Sequence, residues 1–304
     1  MPKKNIVLFQ KSQEFTHFVK WALQEDDWII HIGKTPAQSK ALLEDLPQID
    51  LIIGDTDISE PFERFLQKSR QIHSDTPILI LSEETLDKHV EWMSIHNIHH
   101  FFSKSTPFHT GELRKRILDI LYCENNLSKL INPISEGEIR INSPEQIDPT
   151  AELLSQKYFP KNQANRVCAS LVELLTNALF YGARKELSEN RLQWIRDFTL
   201  AEHEELIITH GEDKTKVLIN IKDPGGLLKN ETALHWLNRQ TKPNETSSPE
   251  GLLDTRGRGI FLARKMSDRL FFNIQKNTQS ECFIINYKTK NHSPFKPWSF
   301  LTKD

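Results

Sequence analysis

Short apolar runs alternate with amphipathic stretches along the first part of the chain. Ile6 to Phe9, Trp28 to Ile32, Leu51 to Ile53, Ile78 to Leu81 and His100 to Phe102 have the length and the β-branched or aromatic character of strands. Between them, Glu14 to Glu25, Pro36 to Asp45, Pro61 to Ile72, Thr85 to Ile95 and Gly111 to Tyr122 repeat apolar residues at helical spacing. Short strands that are apolar on both sides and separated by helices predict a parallel sheet covered on both faces. Functional residues of such sheets lie beyond the carboxyl ends of the strands. Asp55, Ser82 and Lys104 stand at those places after the third, fourth and fifth strands.

The pattern changes after Tyr122. Turn-forming residues at Glu124 to Asn126 and Asn132 to Gly137 predict a linker. Glu138 to Asn142 then reads as a strand and Asp148 to Tyr158 as a helix, with Asp148 a cap and Pro149 in the first turn. Longer helical patterns cover Asn162 to Phe180 and Leu187 to Phe198. Glu205 to His210 and Lys216 to Lys222 alternate as paired strands, with Gly211 to Lys214 as the turn. Leu234, Trp236 and Leu237 suggest a short helix, and Gly259 to Met266 another. Leu270 to Ile274 and Glu281 to Tyr287 close a mixed or antiparallel sheet, giving an α+β sandwich.

Length and charge narrow the function classes. A chain of 304 residues suggests two domains, and a net charge of -2 argues against wholesale nucleic-acid binding. No apolar run approaches the roughly 18 residues of a membrane span. Met1-Pro2-Lys3-Lys4 leads directly into a strand rather than a signal peptide. Cys123, Cys168 and Cys282 form neither a metal spacing nor an even disulfide set, which suits a reducing cytoplasm. His96, His99 and His100 straddle a helix end and a strand start and read as surface or helix-terminal residues rather than metal ligands.

The order Asp55, Ser82, Lys104 on successive strand ends resembles the receiver domain of bacterial response regulators, over roughly the first 120 residues. The resemblance implies an aspartate that takes a phosphoryl group, a hydroxyl that senses it and a lysine that pairs with it. Receivers hold Mg²⁺ with two acids after the first strand, whereas this chain has Gln10-Lys11. Lys11 cannot coordinate a metal, so the expectation is a receiver-like fold kept for protein contacts, without stable phosphorylation of Asp55.

Three further motifs belong together. Glu173 and Asn177 share one face of a mostly apolar helix, where an unpartnered carboxylate and amide are costly. Asp223-Pro224-Gly225-Gly226 follows a strand, and Arg256-Gly257-Arg258-Gly259-Ile260 opens a helix. In this order they resemble the GHKL (Bergerat) ATP-binding fold of histidine kinases, gyrase, Hsp90 and MutL. The run from Arg256 through Met266 to Asp268 is most similar to anti-sigma-factor serine/threonine kinases.

The resemblance implies that Glu173 orients or deprotonates the attacking hydroxyl and that Asn177 holds Mg²⁺. It implies that Asp223 accepts the adenine amino hydrogen, that Gly225 and Gly226 pass beneath the base, and that Gly257 and Gly259 bring backbone N–H groups to the phosphates. Arg258 reads equally as a phosphate contact or a surface charge, and Ser280 occupies a place near adenine. Leu227 departs from the family's Asp-x-Gly-x-Gly pattern and puts adenine affinity in doubt. The polar stretch from Leu228 to Asp254 is the expected place for a mobile lid, poorly ordered without nucleotide.

The expected fold class is a two-domain α/β chain: a receiver-like parallel (βα)5 sheet at 1–122, a linker at 123–134, a GHKL α+β sandwich at 135–290 and a tail at 291–304. The expected function is an ATP- and Mg²⁺-dependent serine/threonine kinase acting on a small anti-sigma-factor antagonist, and able to sequester a sigma factor. Both resembled families commonly form dimers, so a homodimer is compatible. Two alternatives stand beside this. One is a non-catalytic interaction module. The other is a histidine-kinase remnant acting on a partner's histidine, since no histidine lies between His109 and His203.

Overall fold

The structure, a computed structural model, describes residues 3–9, 13–23, 28–55, 59–104, 110–122, 130, 133–186, 193–242, 258–288 and 296–303. The chain divides into two compact units, residues 1–124 with 294–299 and residues 125–293 with 300–304.

The first unit is built on strands β1 (Lys4–Phe9), β2 (Trp28–Gly33), β3 (Leu51–Asp55), β4 (Ile78–Ser82) and β5 (His100–Ser103). Their order is β2-β1-β3-β4-β5, and all four pairings are parallel. That is the doubly wound order of flavodoxin-like and receiver-like folds. Every residue of β3 and β4 is buried, as the continuous apolar runs require of strands covered on both faces. Helices α1 (Gln13–Ala22) and α5 (Thr110–Tyr122) pack together, as do α2 (Pro36–Asp45) and α3 (Ser59–Ile72). Thr35 caps α2 by accepting from the Gln38 amide at 3.2 Å, with Pro36 in the first turn.

Two features of this unit differ from the sequence expectation. The helix expected over Thr85 to Ile95 is a 3-10 turn, Leu86–Lys88, followed by the short α4 (Val90–Ile95). The stretch 291–304, expected as a tail, contains β11 (Trp298–Lys303), whose first residues pair antiparallel with β5. Trp298 and Ser299 are fully buried there, and Ser299 Oγ lies 2.8 Å from His100 Nδ1. His100 is therefore a core residue, held well below the usual histidine pKa by burial and by neighbouring positive charge.

The second unit has an antiparallel sheet in the order β9-β10-β8-β7-β6, formed by β6 (Ser135–Ile141), β7 (Leu206–Glu212), β8 (Lys216–Asp223), β9 (Arg269–Gln275) and β10 (Gln279–Tyr287). Helix α7 (Lys161–Asn177) packs against both α6 (Ile147–Tyr158) and α9 (Arg258–Met266), and α9 also meets α8 (Asn230–Thr241). An apolar cluster of Leu130, Leu218, Phe271, Phe283 and Ile285 is buried, with Phe271 and Phe283 stacked at 4.8 Å.

Several boundaries move for identifiable reasons. Gln146 Oε1 accepts from the amides of Asn142 and Ser143, so a 3-10 turn precedes α6 and Asp148 lies inside the helix rather than capping it. The turn expected at Gly211 to Lys214 shifts onward, because Asp213 Oδ1 gathers the Thr215 amide, the Thr215 hydroxyl and the Lys216 amide. The α-helix carrying Glu173 ends at Asn177 and continues as a π-helical segment, Ala178–Ala183. Of the helix expected over Leu187 to Phe198, residues 187–192 lie outside the described residues, and 194–200 have no regular secondary structure. The stretch expected to form a lid is described to Lys242, and α8 occupies part of it.

Candidate functional site

In the second unit, α7 presents its polar pair because Leu171, Leu174 and Leu175 turn into the core, leaving Glu173 and Asn177 half-buried on one side. The start of α9 closes on them. A Cβ at Gly259 would lie 3.1 Å from both Asn177 Nδ2 and the Glu173 Cβ, so only a glycine backbone approaches this closely without pushing either aside. Arg258 is exposed beside it, and Gly257 lies outside the described residues.

Strand β8 ends in Asp223, whose side chain is buried at 7% exposure. Gly225 N donates to Asp223 Oδ1 at 2.9 Å, and the Gly226 amide and Ser280 hydroxyl also donate to the carboxylate. Ser280 sits inside β10 directly opposite Asp223 in the ladder, rather than before the strand. Burial outweighs these donors and pushes the Asp223 carboxyl up to about 6. Gly226 takes a left-handed φ of 63°, with its carbonyl accepting from Asn277 N at 3.2 Å, which ties the Asp223 turn to the β9–β10 turn.

These groups open on a cavity of about 380 Å³, within the range of small-molecule sites. Asn177, Tyr181 and Gly182 form one wall, and Ile221, Asp223, Phe272, Ser280 and Cys282 form the sheet side. Leu227, Lys229 and Trp236 contribute from the turn and α8, and Lys185 from beyond the π-helical segment. Of the residues singled out in the sequence, Asn177, Asp223 and Ser280 line the cavity. Glu173 and Gly259 sit directly behind Asn177, and Gly225 and Gly226 behind Asp223. Leu227, 42% exposed, lines the cavity where the GHKL pattern that this stretch resembles has glycine.

Gly182 was not singled out as a site residue from the sequence. A Cβ there would collide with the Asp223 carboxyl group, and one at Gly225 would collide with the Gly182 carbonyl. Two glycines thus let the π-helical backbone seat the carboxylate. The signal was a glycine five positions after Asn177, readable only as a helix end. Lys185 and Trp236 carried no local signal.

The first unit brings its three expected residues together separately. Lys104 Nζ lies 2.6 Å from Asp55 Oδ2, with Asp55 buried and Lys104 nearly so, and the Lys104 amide donates to the Ser82 carbonyl at 2.6 Å. The Ser82 hydroxyl is 2.9 Å from His89 Nε2 and accepts from the Glu84 amide at 3.1 Å. Gln10 and Lys11 lie outside the described residues. Among the described residues, no group of three or more histidine, cysteine or acidic side chains is placed to hold a metal. No described helix is long and apolar enough to cross a membrane.

Solved structures with likeness to the chain include a response regulator from Thermotoga maritima, at 20% identity over 40% of this chain and 98% of that one, with a TM-score of 0.36. A chemotaxis response regulator of Vibrio cholerae matches at 20% identity over 39% and 99%, with a TM-score of 0.35. An orphan response regulator of H. pylori matches at 14% identity over 40% and 99%, also at 0.35. At such scores the likeness carries no argument of its own, and the receiver-like description of the first unit rests on its parallel strand order. No family model and no curated protein matches the chain.

Proposed function

We propose that the second unit is an ATP-binding GHKL-type domain and that the chain is a serine/threonine protein kinase of the anti-sigma-factor type, acting in the cytoplasm. The observation that carries this reading is the convergence of Asn177, Asp223 and Ser280 on one cavity, with Gly259 against Glu173 and Asn177. The Asp223 carboxylate accepts from the exocyclic amine of adenine, an acceptor-only group that favours an amino ring over an oxo ring. The amide N–H groups at the start of α9 face the phosphates, where a helix N-terminus suits an anion.

The side-chain oxygens of Asn177 and Glu173 suit a hard cation, and with nucleotide phosphates they would complete the oxygen set that Mg²⁺ takes. Mg²⁺ would offset phosphate charge during transfer. Glu173 positions the attacking hydroxyl, which phosphoryl transfer needs more than a strong base. The substrate is a serine or threonine on a small antagonist protein, and a sigma factor is the further partner. The receiver-like unit serves as a protein-contact module in this signalling role.

Calorimetry of Mg-ATP binding, with Asn177→Ala alongside, tests the site. Binding lost in the variant supports it, and no binding by the folded native chain at millimolar ATP sinks it. An acid-stable phosphorylated partner marks a serine kinase, and an acid-labile one a histidine-directed remnant. Leu227 in the cavity wall favours a second reading, a non-catalytic module whose nucleotide site is impaired. Binding without phosphate transfer to any partner would select it.

A further inference from the structure

The π-helical segment Ala178–Ala183 is held from behind by a strap of extended chain, residues 194–200. Trp194 is buried and stacks on Phe180, with ring centroids 4.3 Å apart and planes at 18°. It also meets Tyr181 edge-on at 5.1 Å. Phe198 approaches Phe180 edge-on at 5.5 Å, and the Arg184 guanidinium lies 4.5 Å over the Phe198 ring. Arg184 Nη1 donates to the Ile195 carbonyl, and Leu200 N donates to the Asn142 carbonyl at 2.7 Å. Four of the strap's residues, Ile195, Arg196, Asp197 and Thr199, are exposed, so its attachment depends on few side chains.

A π-helical register is rare and needs support from its surroundings. Here Arg184 N donates to the Leu179 carbonyl at 2.9 Å and Glu186 N to the Phe180 carbonyl at 2.8 Å, spans longer than the α-helical one. Reversion to the α-helical register would turn the following residues by roughly 100° for each position gained. Tyr181 or Ala183 would then face Asp223 in place of Gly182. A Cβ at position 182 would collide with the Asp223 carboxyl group, so the observed register seats that carboxylate against a glycine.

We propose that Trp194 is a positioning residue for the cavity: its stack on Phe180 holds the π-helical register that places Gly182 against Asp223. The strap thereby couples a surface segment to the wall of the proposed nucleotide site. The affinity arm of the test rests on the ATP reading, and the backbone arm does not.

The experiment compares the native chain with Trp194→Ala and Trp194→Phe, reading Mg-ATP affinity and hydrogen exchange at the Arg184 and Glu186 amides. In Trp194→Ala both amides lose protection and affinity falls about tenfold. Trp194→Phe keeps a stacking ring and retains both. If Trp194→Ala does not fold, Phe198→Ala is read instead, with changes in the same direction. A variant that melts earlier but keeps native exchange and native affinity overturns the proposal. So does one that loses the amide protection with affinity unchanged. If the native chain binds no ATP, the nucleotide reading fails alone. Loss of protection in Trp194→Ala, with retention in Trp194→Phe, then still supports the positioning role.

Discussion

Asp55 and Asp223 are both buried carboxylates at the carboxyl end of a strand, yet their surroundings are opposite. Asp55 meets the Lys104 ammonium at 2.6 Å and is neutralised in place. Asp223 receives only amide and hydroxyl donors, and burial pushes its carboxyl up to about 6. The first arrangement is a closed ion pair. The second keeps an acceptor facing a cavity at a cost in stability, which the proposed nucleotide reading would account for. A raised carboxyl in a cleft is a stronger sign of use than a strand-end aspartate in the expected place.

Breaking the ion pair has the largest expected effect. Lys104→Met leaves Asp55 charged and buried, and should destabilise the protein by about 3–5 kcal/mol in chemical denaturation. The double variant with Asp55→Asn should recover most of that loss. Acetyl phosphate should leave the intact mass of the native chain unchanged. A phosphorylated species that vanishes in Asp55→Asn would show that the pair opens.

Removing the other carboxylate sharpens the contrast. Asp223→Asn should weaken Mg-ATP binding by about 100-fold in calorimetry, because a buried acceptor is lost to the ring amine. The same variant should be at least as stable as the native protein at pH 7.5 without ligand. The folded pKa of Asp223 lies above its unfolded value, so the native state holds the extra proton between about pH 4 and about pH 6. Stability from this group therefore falls as pH rises through that window. The full cost, roughly 3 kcal/mol, is present above it. Denaturation at pH 5 and 7.5 should show about half of that cost, roughly 1.4 kcal/mol, in the native chain and lose it in Asp223→Asn.

Nucleotide affinity should run the other way with pH. Protonation turns one acceptor oxygen into a donor, so Mg-ATP affinity should drop about tenfold between pH 7.5 and pH 5, and not in Asp223→Asn. Flat affinity across that range would remove Asp223 from contact with the ligand. The smallest effect is expected at Ser280→Ala, which removes one of the donors to Asp223 and should change affinity by about fivefold or less.

What the sequence made legible follows from where the information lies. β3 and β4 were readable because strands buried on both faces must be apolar throughout, and Leu51 to Ile53 and Ile78 to Leu81 are. Asp223-Pro224-Gly225-Gly226 was readable because a left-handed turn at Gly226 leaves a glycine in the chain. β11 was not, since Trp298 to Lys303 is a single short run whose partners are distant in sequence. Trp194 and Phe198, four apart, imitate a helical face, but both rings are spent on Phe180 from an extended strap. The π-helical register leaves no compositional trace. The convergence of Lys185 and Trp236 on the cavity is purely tertiary.

Cys282 lines the same cavity, and burial together with the Asp223 charge pushes its thiol far above the ordinary cysteine range. Oxidants and alkylating agents attack the thiolate, not the thiol. The carboxylate proposed to accept from the adenine amine therefore also helps keep the neighbouring sulfur protonated. Iodoacetamide should accordingly label Cys282 slowly while the fold is intact, and faster in Asp223→Asn.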